Sequence, residues 1–274
     1  MTATAGRPAV RRPSWLPVGV ARGRIETKQF MRRRESVVFT LVFPLLLLFI
    51  FGSVFDDDIA PGVSFSQYFV AGMIASAFVN TGFQSLAIGI SIERDNGALK
   101  RLAGTPMPRP SYFVGKLFMV VAVAVLQIAL LLLGGVVAFD IAMPDAAGWL
   151  TFLWVGALGI ISCTLCGIAF SSVPRDGESS PAIVTPIVIV LQFISGVFFV
   201  YASLPQWMQQ VAALFPLKWL TQGMRSVFLP DTFATAEVTG GWELPKVALV
   251  LTLWCILALV LCLLTFRWQR RGED

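Results

Sequence analysis

Residues 112–139 read YFVGKLFMVVAVAVLQIALLLLGGVVAF, and between Lys116 and Phe139 this stretch contains no charged side chain. A helix needs about 20 mostly apolar residues to cross the hydrocarbon core of a bilayer. Backbone amides find no water there, so they must pair within the helix itself. The stretch therefore predicts a transmembrane helix.

Five further stretches have the same character, and charged residues are absent from their interiors. They run approximately over residues 37–55, 68–92, 149–172, 181–201 and 247–266. A chain that is 56% hydrophobic and only 14% charged is too apolar for one soluble domain. We therefore predict an all-α membrane protein with six transmembrane helices.

The basic residues are distributed unevenly over the segments that join these stretches. Of the 21 Lys and Arg residues, 18 lie in segments that would share one face of a membrane, and only Lys218, Arg225 and Lys246 lie opposite. The positive-inside bias then places both termini in the cytoplasm. The basic residues adjoin the membrane ends, which predicts anionic lipid headgroups and not nucleic acid as their partner.

The segment before the first stretch divides into a basic tail and a predicted amphipathic helix. Residues 1–17 form the tail, and residues 18–36 predict a helix along the inner leaflet, with Ala21, Ile25 and Phe30 loosely on one side. A basic flank that only orients the first span explains the pattern equally well. Residues 267–274 predict a cytoplasmic C-terminal tail.

Apolar residues recur at helical spacing between the fifth and sixth stretches, over residues 204–229, and Pro216 interrupts them. Each half is too short to cross, so we predict a re-entrant pair of helices in the outer leaflet. An amphipathic external loop remains the alternative. In either case the polar side chains should face water; they are Gln206, Gln209, Gln210, Lys218, Gln222 and Arg225.

The sequence offers little for catalysis. It has no histidine and no GxxxxGK[ST] phosphate loop, so we predict neither a catalytic site nor a metal site. Cys163 and Cys166 lie inside the fourth stretch, where a thiolate would be desolvated. We expect Cys163 to pack in a groove of small residues with Gly159 and Gly167. An intramembrane enzyme is therefore disfavoured.

Uncharged polar residues occur inside several of the apolar stretches, and an unpaired amide in lipid is costly. They are Asn80, Thr81, Gln84, Gln127, Gln192 and Ser195. Hydrogen bonding between helices and contact with a transported molecule both explain them. None of them is charged, so the apolar stretches offer no obvious residue that would couple transport to a proton or sodium gradient.

The cytoplasmic segment between the second and third stretches, residues 93–110, reads ERDNGALKRLAGTPMPRP. Leu99, Leu102 and Ala103 lie at helical spacing and predict a short helix with a small apolar face. The prolines that follow stiffen the chain. Such a projection could dock on a soluble partner, although an ordinary positive-inside loop would have the same composition.

The run from Glu93 to Lys116 resembles the signature of type-2 ATP-binding cassette (ABC) exporter permeases, in particular their drug- and antibiotic-resistance branch. The matching positions are Glu93, Arg94, Gly97, Leu99, Leu102, Thr105, Pro106, Gly115 and Lys116. Ala98 departs from the pattern, since the family usually has Thr there. The six apolar stretches and the short helices before the last one also resemble the family.

This resemblance implies a membrane subunit of the bacterial cytoplasmic membrane that works with a second permease subunit, identical or different, and two separate ATPase subunits. ATP and Mg would bind to those ATPase subunits, and this chain would carry no cofactor. Residues 37–266 would form the transmembrane domain and residues 18–34 a connecting helix. Residues 93–106 would form a coupling helix on the ATPase; the implied coupling residues are Glu93, Arg94, Gly97, Leu99, Leu102, Thr105 and Pro106.

In that family the transport path lies between the two permease subunits, along the second and fifth spans. Carried over, the path residues are Asn80, Gln84, Gln192, Phe193, Phe198 and Phe199. Amides and aromatics without charge suit an amphipathic or largely apolar cargo, either a lipid or a small molecule. The alternative function is a secondary carrier or channel-like protein that needs no ATPase. A purely structural anchor fits the polar span residues poorly.

Overall fold

A computed structural model describes residues 14–55, 58–60, 62–266 and 268 of the 274-residue chain. Most of the predicted N-terminal tail and nearly all of the predicted C-terminal tail lie outside the described residues.

Ten helices and one small hairpin make up the regular structure of the described part. The helices are α1 (Trp15–Arg32), α2 (Arg34–Val54), α3 (Phe65–Asp95), α4 (Ala98–Ala103), α5 (Arg109–Phe139), α6 (Ala146–Phe170), α7 (Ser180–Ile194), α8 (Gln206–Ala213), α9 (Pro216–Phe228) and α10 (Leu244–Thr265). The hairpin pairs β1 (Asp58–Ala60) with β2 (Val63–Ser64). Single 3₁₀ turns cover Tyr201–Ser203 and Asp231–Ala236.

Five of these helices, α2, α3, α5, α6 and α10, are long and apolar enough to cross a membrane. They coincide with five of the six predicted spans. The fifth predicted span, residues 181–201, is helical only over Ser180–Ile194. At 1.5 Å per residue α7 is about 22 Å long, shorter than the roughly 30 Å hydrocarbon core. The prediction of six spans stays a prediction.

Helix α3 lies at the centre of the bundle. Its side chains from Tyr68 to Val79 are all buried, because α2, α5, α6 and α9 pack around it. Ser64 caps its start by accepting a hydrogen bond from the Gln67 backbone N–H. In contrast, α10 leaves Leu263 and Leu264 mostly exposed. That distribution fits an apolar solvent around the bundle.

Two of the long helices contain a π-helical turn. The turn in α2 covers Val38–Val42 and directly precedes Pro44, whose ring would clash with a carbonyl of the preceding turn in a regular α-helix. The turn in α3 covers Val79–Gln84. Such insertions are frequent at functional sites, and the second one contains two of the predicted path residues.

The small residues predicted to form a groove on α6 meet two different helices: Gly159 faces the Leu220 side chain of α9, and Cys163 and Gly167 face the backbone of α3. A side chain at Gly167 would lie 2.5 Å from the Gly82 carbonyl oxygen, and one at Gly82 would lie 2.9 Å from Cys163 Cβ. The two backbones therefore approach more closely than larger residues would allow.

Helix α1 packs along the beginning of α5 through a face formed by Gly19, Gly23 and Glu26. A Cβ at Gly19 or Gly23 would lie 2.6 Å from side chains of α5, which explains why glycine stands there. The predicted apolar side is not the packed one: Ala21 and Ile25 are exposed. The helix ends at Arg32, four residues before the predicted end.

The predicted re-entrant segment contains two short helices, α8 and α9, separated at Pro216 as expected. The prediction that all its polar side chains face water is wrong. Gln206 and Gln210 are exposed, but Lys218, Gln222 and Arg225 are buried. The reason is that α9 lies against α3 and α6, and residues 237–242 cover its polar side with bonding partners.

Candidate functional site

The segment predicted to couple to a partner lies at the end of the bundle that also contains α1 and residues 171–180. Here α3 ends at Asp95, Gly97 takes a left-handed conformation (φ 72°), and α4 runs from Ala98 to Ala103. Gly97 joins the two helices, and residues with a side chain disfavour the left-handed conformation that it adopts. The helix is shorter than the predicted range 93–106, because Glu93 belongs to α3 and residues 104–108 are irregular.

Glu93 faces the bundle and forms an ion pair with Lys116 of α5 at 2.5 Å between Oε1 and Nζ. It also accepts a hydrogen bond from the Tyr112 hydroxyl at 2.8 Å. Lys116 lies 3.1 Å from Glu26 of α1, and Glu26 is 2.8 Å from Arg22. This charge network joins α1, α3 and α5, and its Lys116 and Glu26 are buried.

Arg94 and Leu99 also attach the segment to the bundle. Arg94 donates to the backbone carbonyl of Ser171 at 2.6 Å and to its hydroxyl at 3.1 Å. Leu99 is fully buried against α3, α5 and α6, and Leu102 packs on the edge of the same cluster. These contacts hold α4 against the long helices.

The remaining predicted coupling residues point outward. Thr105 and Pro106 are exposed, as are Lys100 and Arg101 beside them. We refer to the exposed side chains of Lys100, Arg101, Thr105 and Pro106 as the tip. The tip presents two positive charges and a stiff proline turn on a base that is anchored by buried groups.

The predicted path amides meet inside the bundle. Gln192 of α7 donates to the Asn80 side-chain oxygen at 2.9 Å, and Gln84 donates to the Thr185 hydroxyl at 3.2 Å. Asn80 and Gln84 lie in the π turn of α3, so this turn and α7 are joined by side-chain hydrogen bonds. Gln127 of α5 is buried, and its side chain forms no hydrogen bond with any residue that the structure describes.

The predicted path aromatics form one cluster at the end of α7: Phe193 lies in its last turn, and Phe198 and Phe199 follow it. Phe198 lies 5.0 Å from Phe193 and 6.2 Å from Phe69 between ring centroids, and Phe199 lies 5.8 Å from Phe193. Phe193 and Phe199 are 43% and 50% exposed, so they offer apolar surface outside the chain. The cluster continues through Phe69 to the first span.

Three further residues complete these sites: the sequence did not single out Glu26 and Thr185, and it marked Lys116 only as a position that matches the family signature. Glu26 and Lys116 supply the buried charges around Glu93, and Thr185 is the partner of Gln84. A signal for the first two exists: Glu26 is an isolated acid in a basic helix, and Lys116 lies several residues inside an apolar stretch. No comparable signal marks Thr185.

Across the residues that the structure covers, no group of three or more Cys, Asp or Glu side chains is arranged to bind a metal ion. The arrangement at the basic end instead consists of ion pairs and a projecting helix. The arrangement between α3 and α7 consists of neutral amides.

The comparisons with known proteins agree on one family. The family model described as ABC-2 type transporter matches residues 22–229, which include both sites. YvfS of Bacillus subtilis, named as a transport permease, is 22% identical over 194 residues, covering 70% of this chain and 77% of YvfS.

Two other relatives have similar identity. YbhR of Escherichia coli K12, named as a multidrug ABC transporter permease, is 22% identical over 67% of this chain and 50% of its own length. The permease ycf38 of Porphyra purpurea is 21% identical over 73% of this chain and 70% of its own length. The matched permeases and the apolar spans make this a multi-pass protein of the cytoplasmic membrane. Since the family match extends over most of its length, the chain belongs to the ABC-2 type transporter family, as a membrane component of an ABC transporter.

Proposed function

We propose that the chain is the permease subunit of an ATP-driven exporter. Two copies, or this chain and a related one, would form the pathway, and two separate ATPase subunits with ATP and Mg would drive it. The cargo is an amphipathic or hydrophobic small molecule or a lipid that leaves on the outer side. One observation carries the proposal: the tip is exposed, while Glu93, Arg94 and Leu99 attach its base to three long helices.

The mechanism follows from that attachment. When the ATPase subunits move on binding ATP, a load on the tip is transmitted through α4. Leu99 is buried among α3, α5 and α6, and the Glu93–Lys116 ion pair joins α3 to α5. Lys116 is buried, and withdrawing the partner of a buried charge is strongly destabilising, so α3 and α5 move together with α4 instead of separating.

That movement reaches the proposed path through α3. The π turn at Val79–Gln84 lies on the same helix as Glu93 and is bonded to α7 by the Asn80–Gln192 and Gln84–Thr185 pairs. Rearrangement of these amide pairs would open a neutral polar surface to cargo. The exposed rings of Phe193 and Phe199 would contact its apolar part on the way out.

Transport in sealed vesicles tests the proposal against a carrier or channel. Inside-out vesicles would contain this chain alone, or the chain with ATPase subunits encoded by neighbouring genes. A fluorescent phospholipid and an apolar dye serve as probe cargoes. We expect uptake only with ATP and an intact ATPase, and none when the ATPase carries a substitution that prevents hydrolysis. Uptake by the chain alone under an ion gradient would instead establish the carrier.

A further inference from the structure

A cavity of about 300 Å³ lies at the opposite end of the bundle, beside α8 and α9 and below the loop that precedes α10. Its walls include Tyr201, Gln209, Lys218, Trp219, Gln222 and Lys246, together with the carboxylates of Glu237 and Glu243. The proposed transport path uses none of these residues. The volume is at the lower end of the range for small-molecule sites.

Lys218 is the unusual residue of this cavity. It is buried, yet among the described residues it forms no ion pair with a carboxylate. Its Nζ lies 3.7 Å from the ring centroid of Trp219 and 5.3 Å from that of Tyr201, and it donates to the Gln222 side-chain oxygen. The Gln222 amide nitrogen in turn donates to the Trp242 carbonyl at 2.9 Å, which fixes the orientation of the amide.

The carboxylates near Lys218 are already paired with other cations. Glu237 binds the fully buried Arg225 at 2.6 Å between Oε1 and Nε. Glu243 is paired with Lys246, three residues along the chain. Lys218 therefore contributes a positive charge to the cavity that the neighbouring acids leave unmatched.

A desolvated ammonium without a counter-ion is costly, and the aromatic faces and one amide oxygen replace only part of its hydration. An anion entering the cavity would complete its coordination. We propose that this cavity binds a carboxylate or phosphate group, with Lys218 as the counter-charge and the rings of Tyr201 and Trp219 as its apolar walls.

Two sources can supply such a group: the headgroup of an anionic phospholipid, or a soluble organic acid outside the cell. The ligand chemistry is the same in both cases. The site concerns binding alone, so it stands or falls independently of ATP-driven export.

Acylation of lysine side chains, read out by peptide mass spectrometry, tests the site on the full-length protein. The chain is placed in nanodiscs of phosphatidylcholine, whose phosphate is internally neutralised by choline. One arm adds phosphatidylglycerol to the nanodisc and another adds phenyl phosphate or benzoate to the buffer. Lys28, an exposed lysine on α1 that lies away from the cavity, reports the general effect of added negative charge.

We expect acylation of Lys218 to fall about tenfold at a ligand concentration ten times the dissociation constant, with a much smaller change at Lys28. Protection by phosphatidylglycerol alone identifies a lipid headgroup, and protection by the soluble anions identifies an organic acid. Equal protection of both lysines, or no protection of Lys218 in any arm, overturns the proposal.

The variant Lys218→Gln provides a second measurement. It keeps a polar side chain, removes the buried charge and leaves the Arg225–Glu237 pair in place. Native mass spectrometry should show loss of the protecting anion from this variant but not from Lys28→Gln, which removes an exposed charge on α1, away from the cavity. Unchanged anion retention by Lys218→Gln would contradict the proposal.

Discussion

Lys116 binds two carboxylates on different helices, Glu93 of α3 and Glu26 of α1, and is itself buried. Lys116→Met should therefore leave two negative charges close together in a poorly solvated region. Removing one member of a buried charged group costs about 3 kcal/mol. Thermal unfolding of the detergent-solubilised protein should show that Lys116→Met is less stable than the unsubstituted protein by about this free energy.

Lys28→Met is the matched control, because Lys28 is an exposed lysine on α1. It should change stability by less than about 0.5 kcal/mol. Adding Glu93→Gln to Lys116→Met should recover part of the loss, since one of the unmatched charges is removed. Equal stabilities of the two lysine variants would show that the network does not stabilise the fold.

Burial, assisted by the nearby Arg225 and opposed by Glu243 and Glu237, lowers the pKa of Lys218 to about 8. The pKa of a lysine side chain in a short peptide is about 10.4. Only the neutral amine reacts with acylating reagents, so in the absence of an added anion Lys218 should become reactive as the pH rises through 8. The same lysine in the unfolded chain should need about two further pH units.

The lowered pKa of Lys218 also makes the stability of the fold depend on pH. Between pH 8 and about 10.4 the unfolded chain holds a proton on Lys218 that the folded chain has released, so stability increases with pH in that window. A reactivity midpoint near 10 in the folded protein would contradict the burial of this side chain. The cavity has four other titratable walls, Tyr201, Glu237, Glu243 and Lys246, and these must be followed in the same experiment.

Gly97 allows α3 and α4 to meet at a sharp angle, with φ at 72°. A β-branched residue in the left-handed region costs about 1–2 kcal/mol, whereas asparagine is tolerated there. Gly97→Val should reposition α4 and lower stimulation of the ATPase partner several-fold, and Gly97→Asn should retain most of it. The ATP hydrolysis rate of the reconstituted complex measures both; equal rates would exclude a role for this turn.

The contact between α3 and α6 depends on glycine at a single level of the bundle. A Cβ at Gly167 would lie 2.5 Å from the Gly82 carbonyl oxygen and 2.8 Å from that of Phe83, whereas one at Gly89 meets open space. Gly167→Ala should destabilise the protein by about 1–3 kcal/mol, because the backbones must separate.

Gly89→Ala is the control for that substitution, since it also places alanine in a helix. It should be neutral or stabilise by up to about 1 kcal/mol through helix propensity. A thermal unfolding assay should show that Gly167→Ala is less stable than Gly89→Ala. A Gly167→Ala protein as stable as Gly89→Ala would mean that the helices are not closely packed here.

At the element level the sequence predicted most helices but not all of their faces. Long apolar runs such as residues 112–139 specify a helix in any arrangement, because a single segment in lipid can pair its own amides only as a helix. The buried positions of Lys218 and Arg225 were not predictable from helical spacing. They depend on Glu237 and the Trp242 carbonyl, which come from a separate loop.

The predicted functional residues fall into two groups in the assembled molecule. Local sequence identified the projecting segment, and Thr105 and Pro106 lie on its exposed side. The inward orientation of Glu93 depends on Lys116 and Glu26, two residues that are distant in sequence. Similarly, the sequence indicated the polar character of Asn80 and Gln192, but only the fold pairs them across two helices.

The whole molecule consists of a bundle whose two ends have different tasks. One end presents the tip on an anchored base, and the other contains the cavity around Lys218. The long helix α3 connects Glu93 to the amides of its π turn. Motion that begins at the tip would therefore reach the interior of the bundle without passing through a flexible loop.

Cross-linking at the tip tests the central claim most directly. Thr105→Cys and its control Thr235→Cys change the same residue type at exposed positions at the two ends of the bundle. With a photoreactive group attached to the introduced thiol, in a chain whose four native cysteines are replaced, we predict that Thr105→Cys gives an ATP-dependent adduct with the ATPase subunit and Thr235→Cys gives none. Absence of an adduct at Thr105→Cys, in a complex that still transports the probe cargo with ATP, would contradict the account.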